Sequence, residues 1–180
     1  MTSHILVQQQ TPATAADDRP RSSLLATAAG AVLTTTRDPA AAIARVGLGL
    51  LMFPHGAQHA LGWFGGYGFR GTHAWMTGTL GFPSAAAALA IAVELLGSLA
   101  LIAGVGGRLA ALGIIGLMLG AISTHVTNGF FMNWFGRLPT GSEGFEYHLM
   151  AIVLGLVIVV RGSGALSIDR LLARRPAPRP

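Results

Sequence analysis

The chain contains no cysteine, so disulfides, thiolate nucleophiles, cysteine-held iron–sulfur clusters and thiolate metal sites lie outside the chemistry it can perform alone. Lysine is absent as well, and all twelve basic residues are arginine. Charge of either sign is scarce. Only 11% of the 180 residues are charged against 52% hydrophobic, and the mean hydropathy is +0.57, which excludes an ordinary soluble surface. No dinucleotide-binding glycine fingerprint is present, so any redox role draws its electrons from a substrate or partner. The formal charge of +5 would suggest a nucleic-acid partner on a soluble protein, but the arginines form no stripe or recognition helix. Arg19, Arg21, Arg37 and Arg45 stand at or before the start of the first long apolar segment, and Arg161, Arg170, Arg174, Arg175 and Arg179 follow the last. That distribution marks membrane topology rather than nucleic-acid binding.

What the sequence does have is long apolar runs. Ala40–Leu61 and Ser84–Val105 each supply the roughly twenty residues that a helix needs to cross a hydrocarbon core of ~30 Å, as does the segment from Arg108 to about Thr127. A fourth segment reaches that length only from Phe145 to Leu166, with Arg161 extended to the inner surface. Charge asymmetry favours it: with four spans and an inner N-terminus, ten arginines face the inside and only Arg70 and Arg137 the outside. The expectation is an all-α, polytopic four-helix transmembrane bundle (residues 40–166) in a bacterial plasma membrane. A flexible tail (1–39) and an Arg/Pro-rich tail (167–180) are both expected in the cytoplasm. Leu24–Leu33 imitates the apolar core of a signal peptide but lacks a cleavage pattern beyond it. Pro54 predicts a kink in the first span, Arg45 is expected to snorkel from its inner end, and Gly116 with Gly120 suits close helix approach in the third.

The two longer connections, Gly62–Pro83 and Asn128–Gly144, fall on the outer side and carry most of the aromatics. An interfacial belt would account for such rings. Their one-sidedness also suggests a two-loop cap over a pocket, with Trp63, Phe64, Trp134 and Phe135 as candidate ligand contacts. His55 before Trp63-Phe64-Gly65 and His125 before Trp134-Phe135-Gly136 give the halves a weak parallel echo.

Five of the six histidines share this outer region: His55, His59, His73, His125 and His148. His55 and His59 stand four apart, hence on one helix face, where imidazoles can bind metal, ligate haem, relay protons or simply bond to carbonyls. Glu94 falls at the middle of the second span, where a carboxylate is costly and therefore a functional candidate. Packing as a neutral, hydrogen-bonded acid is the alternative.

The strings His55-Gly56-Ala57-Gln58, Gly62-Trp63-Phe64-Gly65-Gly66, Gly71-Thr72, Glu94-Leu95-Leu96-Gly97, His125-Val126-Thr127-Asn128-Gly129-Phe130-Phe131 and Glu143-Gly144-Phe145-Glu146-Tyr147-His148 together resemble the DoxX family of small bacterial membrane proteins. The likeness covers roughly Ala41 to Leu171. It implies a four-helix membrane fold and an association with redox metabolism, since relatives include the membrane subunit of a thiosulfate:quinone oxidoreductase. His55 and Gly56 match the family's His-Gly pair, Glu94 its buried acid, and Glu146 with His148 its entry to the fourth helix. At position 59 many relatives carry Lys and this chain has His59, so a fixed cation is replaced by a group that titrates near neutrality. The expectation is that His55, His59, Glu94, His125 and His148 act on a quinone or similar small apolar molecule, with haem ranked lower and no metal site assigned. It also includes the lipid bilayer, a redox-enzyme partner and a homo-oligomer as partners. A non-catalytic scaffold and a proton-coupled transporter are the competing readings.

Overall fold

A computed structural model of the chain describes Gly30, residues 34–139 and residues 141–173. The Leu24–Leu33 stretch (apart from Gly30), most of the tail over 1–39, and Arg174, Arg175 and Arg179 lie outside the described residues. All regular structure among those described is helical.

Helix α1 (Pro39–Leu61) begins where its sequence says it should. The Asp38 carboxylate accepts from the Ala40 N–H at 2.9 Å, and Pro39 occupies a first-turn position whose missing N–H costs nothing. It ends at Gly62, whose φ of 75° favours glycine. The helix continues through Pro54 without interruption, although the Leu50 carbonyl loses its usual donor. The first connection, read from sequence as a loop, holds a 3₁₀ turn (Trp63–Gly65) and a helix, α2 (Gly68–Gly78). Helix α3 (Ser84–Ala103) and α4 (Gly107–His125) form a hairpin turned by Gly104 and Gly106, both at positive φ (73° and 56°). A 3₁₀ turn, Val126–Asn128, extends α4. Helices α5 (Glu146–Arg161) and α6 (Ile168–Ala173) complete the order.

Three helical segments, α1, α3 and α4 with its 3₁₀ extension to Asn128, are long and apolar enough to cross a bilayer, so this is a multi-pass membrane protein. Leu50, Leu51, Leu89, Leu96, Leu109, Leu112 and Leu119 all point outward, as helices solvated by hydrocarbon require. The helix expected over Phe145–Leu166 is shorter than read from the sequence: it runs Glu146–Arg161, 16 residues with a rise of ~24 Å. Gly162 and Gly164 adopt positive φ (79° and 72°) and turn the chain back over the end of the bundle where α1 begins.

Helices α1 and α3 run antiparallel in close contact. A Cβ at Gly56 would lie 2.6 Å from the Leu95 Cα, and one at Gly49 would lie 3.0 Å from the Ser98 carbonyl oxygen. Leu48 and Met52 of α1, Leu101 of α3, Ile114 and Met118 of α4, and Ala151 and Ile158 of α5 form one apolar core.

Arg45 does not snorkel. It is buried, 1% exposed, and its guanidinium donates to five carbonyls: Leu101 and Ile102 at the end of α3, and Ser163, Ala165 and Leu166 beyond α5. Helix C-termini leave carbonyls without donors, and a guanidinium offers five N–H groups, so the side chain is retained inside rather than drawn to water. Asp169, fully buried, answers it from the other side of the turn by accepting from Gly106 N–H (2.7 Å), Gly107 N–H (3.1 Å) and the Ser163 hydroxyl (2.5 Å). At the same end Arg108 Nε donates to the Val159 carbonyl at 3.0 Å. Arg161 pairs with Asp38 at 2.6 Å and holds that carboxyl below the usual carboxylate range.

Candidate functional site

The close approach at Gly56 brings the facing residues of α1 and α3 into register. One turn further along α1, His59 Nδ1 meets Glu94 Oε2 at 2.5 Å. Glu94 is 6% exposed and stands halfway along α3, while His59 is half-buried near the C-terminal end of α1. One proton lies between these atoms: an ionised Glu94 accepts it from Nδ1–H, or a neutral acid donates to Nδ1. A pair that can hold a proton on either partner inside an apolar bundle can deliver or take one without exposing a bare charge to lipid.

His55 turns elsewhere. Although one turn from His59, it packs against Tyr147 of α5, with ring centroids 6.0 Å apart. Tyr147 in turn lies 6.1 Å from His148, and its hydroxyl donates to Met52 Sδ at 3.7 Å. His148 and His125, from α5 and α4, approach to 4.8 Å between centroids with their planes tilted by 44°. His125 Nδ1 lies 2.9 Å from the Ala121 carbonyl, while His148 is nine-tenths buried. The five titratable candidates therefore fall into two groups: His59 with Glu94 between α1 and α3, and His55, His148 and His125, which Tyr147 joins into a line of rings across α1, α5 and α4.

The aromatic candidates divide as well. On the first connection Trp63 packs edge-on against its neighbour Phe64 and against Phe53 of α1, both at 6.4 Å. On the second, Trp134 Nε1–H donates to Glu146 Oε2 at 3.0 Å and the Arg137 guanidinium sits 5.4 Å over the Phe135 ring. A recess of about 300 Å³ there is lined by Asn128, Phe130, Phe131, Trp134 and Phe135 among others, all of the second connection. Trp63 and Phe64 contribute nothing to the lining of this recess, nor does any of the candidate histidines. The reason is connectivity. Helix α2 packs the first connection against α1 and α3, while the Gly129 and Phe130 carbonyls bind Phe145 and Glu146 N–H groups and tie the second to the start of α5.

Sequence reasoning missed the roles of Arg45 and Asp169, although an arginine inside an apolar segment and an acid between two serines and an arginine-rich tail were the available signals. It also missed Tyr147, whose position between two histidine-bearing helices no spacing rule reveals.

The DoxX family model matches residues 40–134, more than half of the chain. No curated protein and no solved structure matches it. The matched stretch takes in α1 to α4 and the second connection as far as Trp134, and so includes His55, His59, Glu94 and His125, while His148 and α5 lie beyond it. With this match across the helices that carry Glu94 and its histidine partner, the chain belongs to the DoxX family.

Proposed function

We propose that the chain is a redox-associated membrane protein of the plasma membrane, in which Glu94 and His59 exchange protons with a quinone or a similar small apolar molecule reaching the outer half of the bundle. The observation that carries this reading is the 2.5 Å contact between His59 and Glu94. A central acidic residue costs about 2.5–3.5 kcal/mol on insertion scales, and a titratable partner beside it serves proton transfer better than packing alone. The line of rings from His55 through Tyr147 to His148 and His125 supplies further proton-carrying groups across α1, α5 and α4. Supply of electrons by a redox-enzyme partner fits the absence of any nicotinamide or flavin fingerprint.

The variant that tests the reading is Glu94→Gln, which keeps shape and hydrogen-bonding capacity and removes the proton. It should insert and fold as the wild type while lowering quinone-linked activity in membranes by roughly a hundredfold. Unchanged activity would sink the proposal. Decylubiquinone should also raise the unfolding temperature of the purified wild type, whereas a scaffold that only docks enzymes would show no shift.

The same reading places α5 across the membrane as a fourth span, with both termini in the cytoplasm. Its support is the outward apolar face of Met150, Val153, Leu156 and Val160, and the gathering of Arg45, Arg108 and Arg161 at one end of the bundle while Arg70 and Arg137 lie in the connections at the other. A reporter fused at Pro180 should behave as cytoplasmic and one inserted between Gly136 and Gly144 as exported. Export of the C-terminal reporter would overturn the four-span topology.

A further inference from the structure

The second connection is fastened at its base and at its tip. At the base, the N–H groups of Gly144, Phe145 and Glu146 donate to the Phe131, Gly129 and Phe130 carbonyls, and the Asn128 side-chain amide donates to the Gly141 and Glu143 carbonyls at 3.0 and 3.1 Å. At the tip, the Asn133 side chain closes a turn on Leu138: its Nδ2 donates to the Leu138 carbonyl at 2.9 Å and its Oδ1 accepts from the Leu138 N–H at 3.2 Å. Gly136, at a φ of 60°, lets the backbone reverse inside that turn.

A turn closed in this way could tuck its apolar side chains beneath itself, and it does the opposite. Phe131, Trp134 and Phe135 are 73%, 67% and 83% exposed, and Leu138 is exposed beside them. In water these rings would forgo the burial that aromatic side chains normally supply. The place of the connection in the chain says what covers them. It follows directly on the apolar span that ends at Asn128 and returns to α5 at Glu146, so its tip stands at the boundary of the hydrocarbon, where amphipathic indole rings are favoured.

Arg137 gives this surface a sign. Its guanidinium lies 5.4 Å over the Phe135 ring, and no carboxylate among the described residues pairs with it. Arg137 is also the one charged residue among those that line the recess of about 300 Å³. The two acids of the connection, Glu143 and Glu146, stay out of that lining, and the Glu146 carboxylate accepts instead from the Met132 N–H and the Trp134 indole N–H. Stacking occupies the face of a guanidinium and leaves the N–H groups along its edge for an oxyanion. At the edge of a bilayer the abundant oxyanion is the lipid phosphate, which arginine binds through charge-assisted hydrogen bonds.

We propose that the second connection binds an anionic phospholipid of the phosphatidylglycerol type, with Arg137 on the phosphate and Phe131, Trp134 and Phe135 seated in the interface around it. A zwitterionic headgroup is the weaker ligand, because its own ammonium already answers the phosphate. The site is separate from Glu94 and His59, and it holds whichever side of the membrane the connection faces.

The test uses the full chain in phosphatidylcholine bilayers, with Trp63→Phe and Trp75→Phe leaving Trp134 as the sole indole. Quenching of Trp134 is titrated with phosphatidylglycerol carrying bromine on its upper acyl carbons, and separately with phosphatidylcholine brominated at the same carbons. The glycerol lipid should be preferred on the order of fivefold, the enrichment one arginine supplies near a lipid phosphate. Arg137→Gln should remove the preference while quenching persists, and Arg70→Gln should leave it in place. Native mass spectrometry of the otherwise unsubstituted chain gives a second reading: retained phosphatidylglycerol should be lost with Arg137→Gln alone. Soluble glycerol phosphate should not compete. Equal quenching by the two lipids would reduce the tip to an interfacial belt, and absence of quenching by either would mean that water or a protein partner covers it. Either result, a preference that survives Arg137→Gln, or displacement by soluble glycerol phosphate would overturn the proposal.

Discussion

Replacing Arg45 with methionine should destabilise the folded protein by on the order of 3–5 kcal/mol, the range seen when one partner of a buried charged network is removed. The substitution preserves an unbranched side chain of comparable reach, so the loss comes from polar groups and not from volume. Five carbonyls would lose the guanidinium as donor, two of them at the end of α3, where the Leu101 carbonyl keeps only the Gly104 N–H at 3.2 Å. The buried Asp169 carboxylate would also lose the cation that balances its charge. Arg45→Lys should recover little, because an ammonium has three donors at one point and cannot span carbonyls from α3 and from the segment after α5. Unfolding of the purified protein in detergent, by heat or by increasing denaturing surfactant, is the measurement. A variant within about 1 kcal/mol of wild type would show that water replaces the guanidinium at little cost, and that the site is less closed than its burial indicates.

Gly56→Val should do comparable damage by a different route, and should take the His59–Glu94 contact with it. A Cβ at Gly56 would lie 2.6 Å from the Leu95 Cα and 2.7 Å from its amide nitrogen. Both are backbone atoms of the facing helix, so no side-chain rotation relieves the clash and α1 and α3 must separate. Overpacking of this kind costs about 1–3 kcal/mol and sometimes more. A shift large enough to admit the valine opens the 2.5 Å contact one turn away, so quinone-linked activity should fall in the fraction that still folds. Gly47→Ala is the matched control. It lies in the same helix with nothing within 4 Å of the added carbon and should be neutral or stabilising by up to ~1 kcal/mol. Equal melting temperatures for Gly56→Val and wild type would refute the close approach of the two helices.

The parts of this architecture that could be read from the sequence are those where one physical requirement acts on a contiguous stretch. About twenty apolar residues in a row satisfy the hydrocarbon core without reference to anything else in the chain, and the predicted spans over 40–61, 84–105 and 108–127 differ from α1, α3 and the extended α4 by at most two residues at either end. Helix α2 escaped notice because Gly68, Gly71 and Gly78 depress its local propensity. Packing against α1 and α3, and the contact of His73 with Ser84, hold it instead. The end of α5 was misplaced because Gly162 and Ala165 read as apolar continuation, whereas positive φ at Gly162 and Gly164 ends the helix there.

Glu94 was legible as a singular residue because a carboxylate in an apolar run is expensive wherever it points. Its partner was not: the same four-residue spacing that set His55 and His59 on one face of α1 could not say that one would meet α3 and the other α5. Composition and hydropathy, which act residue by residue, determined that the chain enters a membrane, roughly where its helices run and which residues are too costly to be idle. Tertiary structure alone decided that Arg45 is sealed inside by five carbonyls, that Asp169 closes the turn beside it, that His59 pairs with Glu94 and that His125 reaches His148. Each of these depends on the rotation and depth of one helix against another, which follow from small residues such as Gly49 and Gly56 setting the distance of approach and from the demand that every buried polar group find a partner.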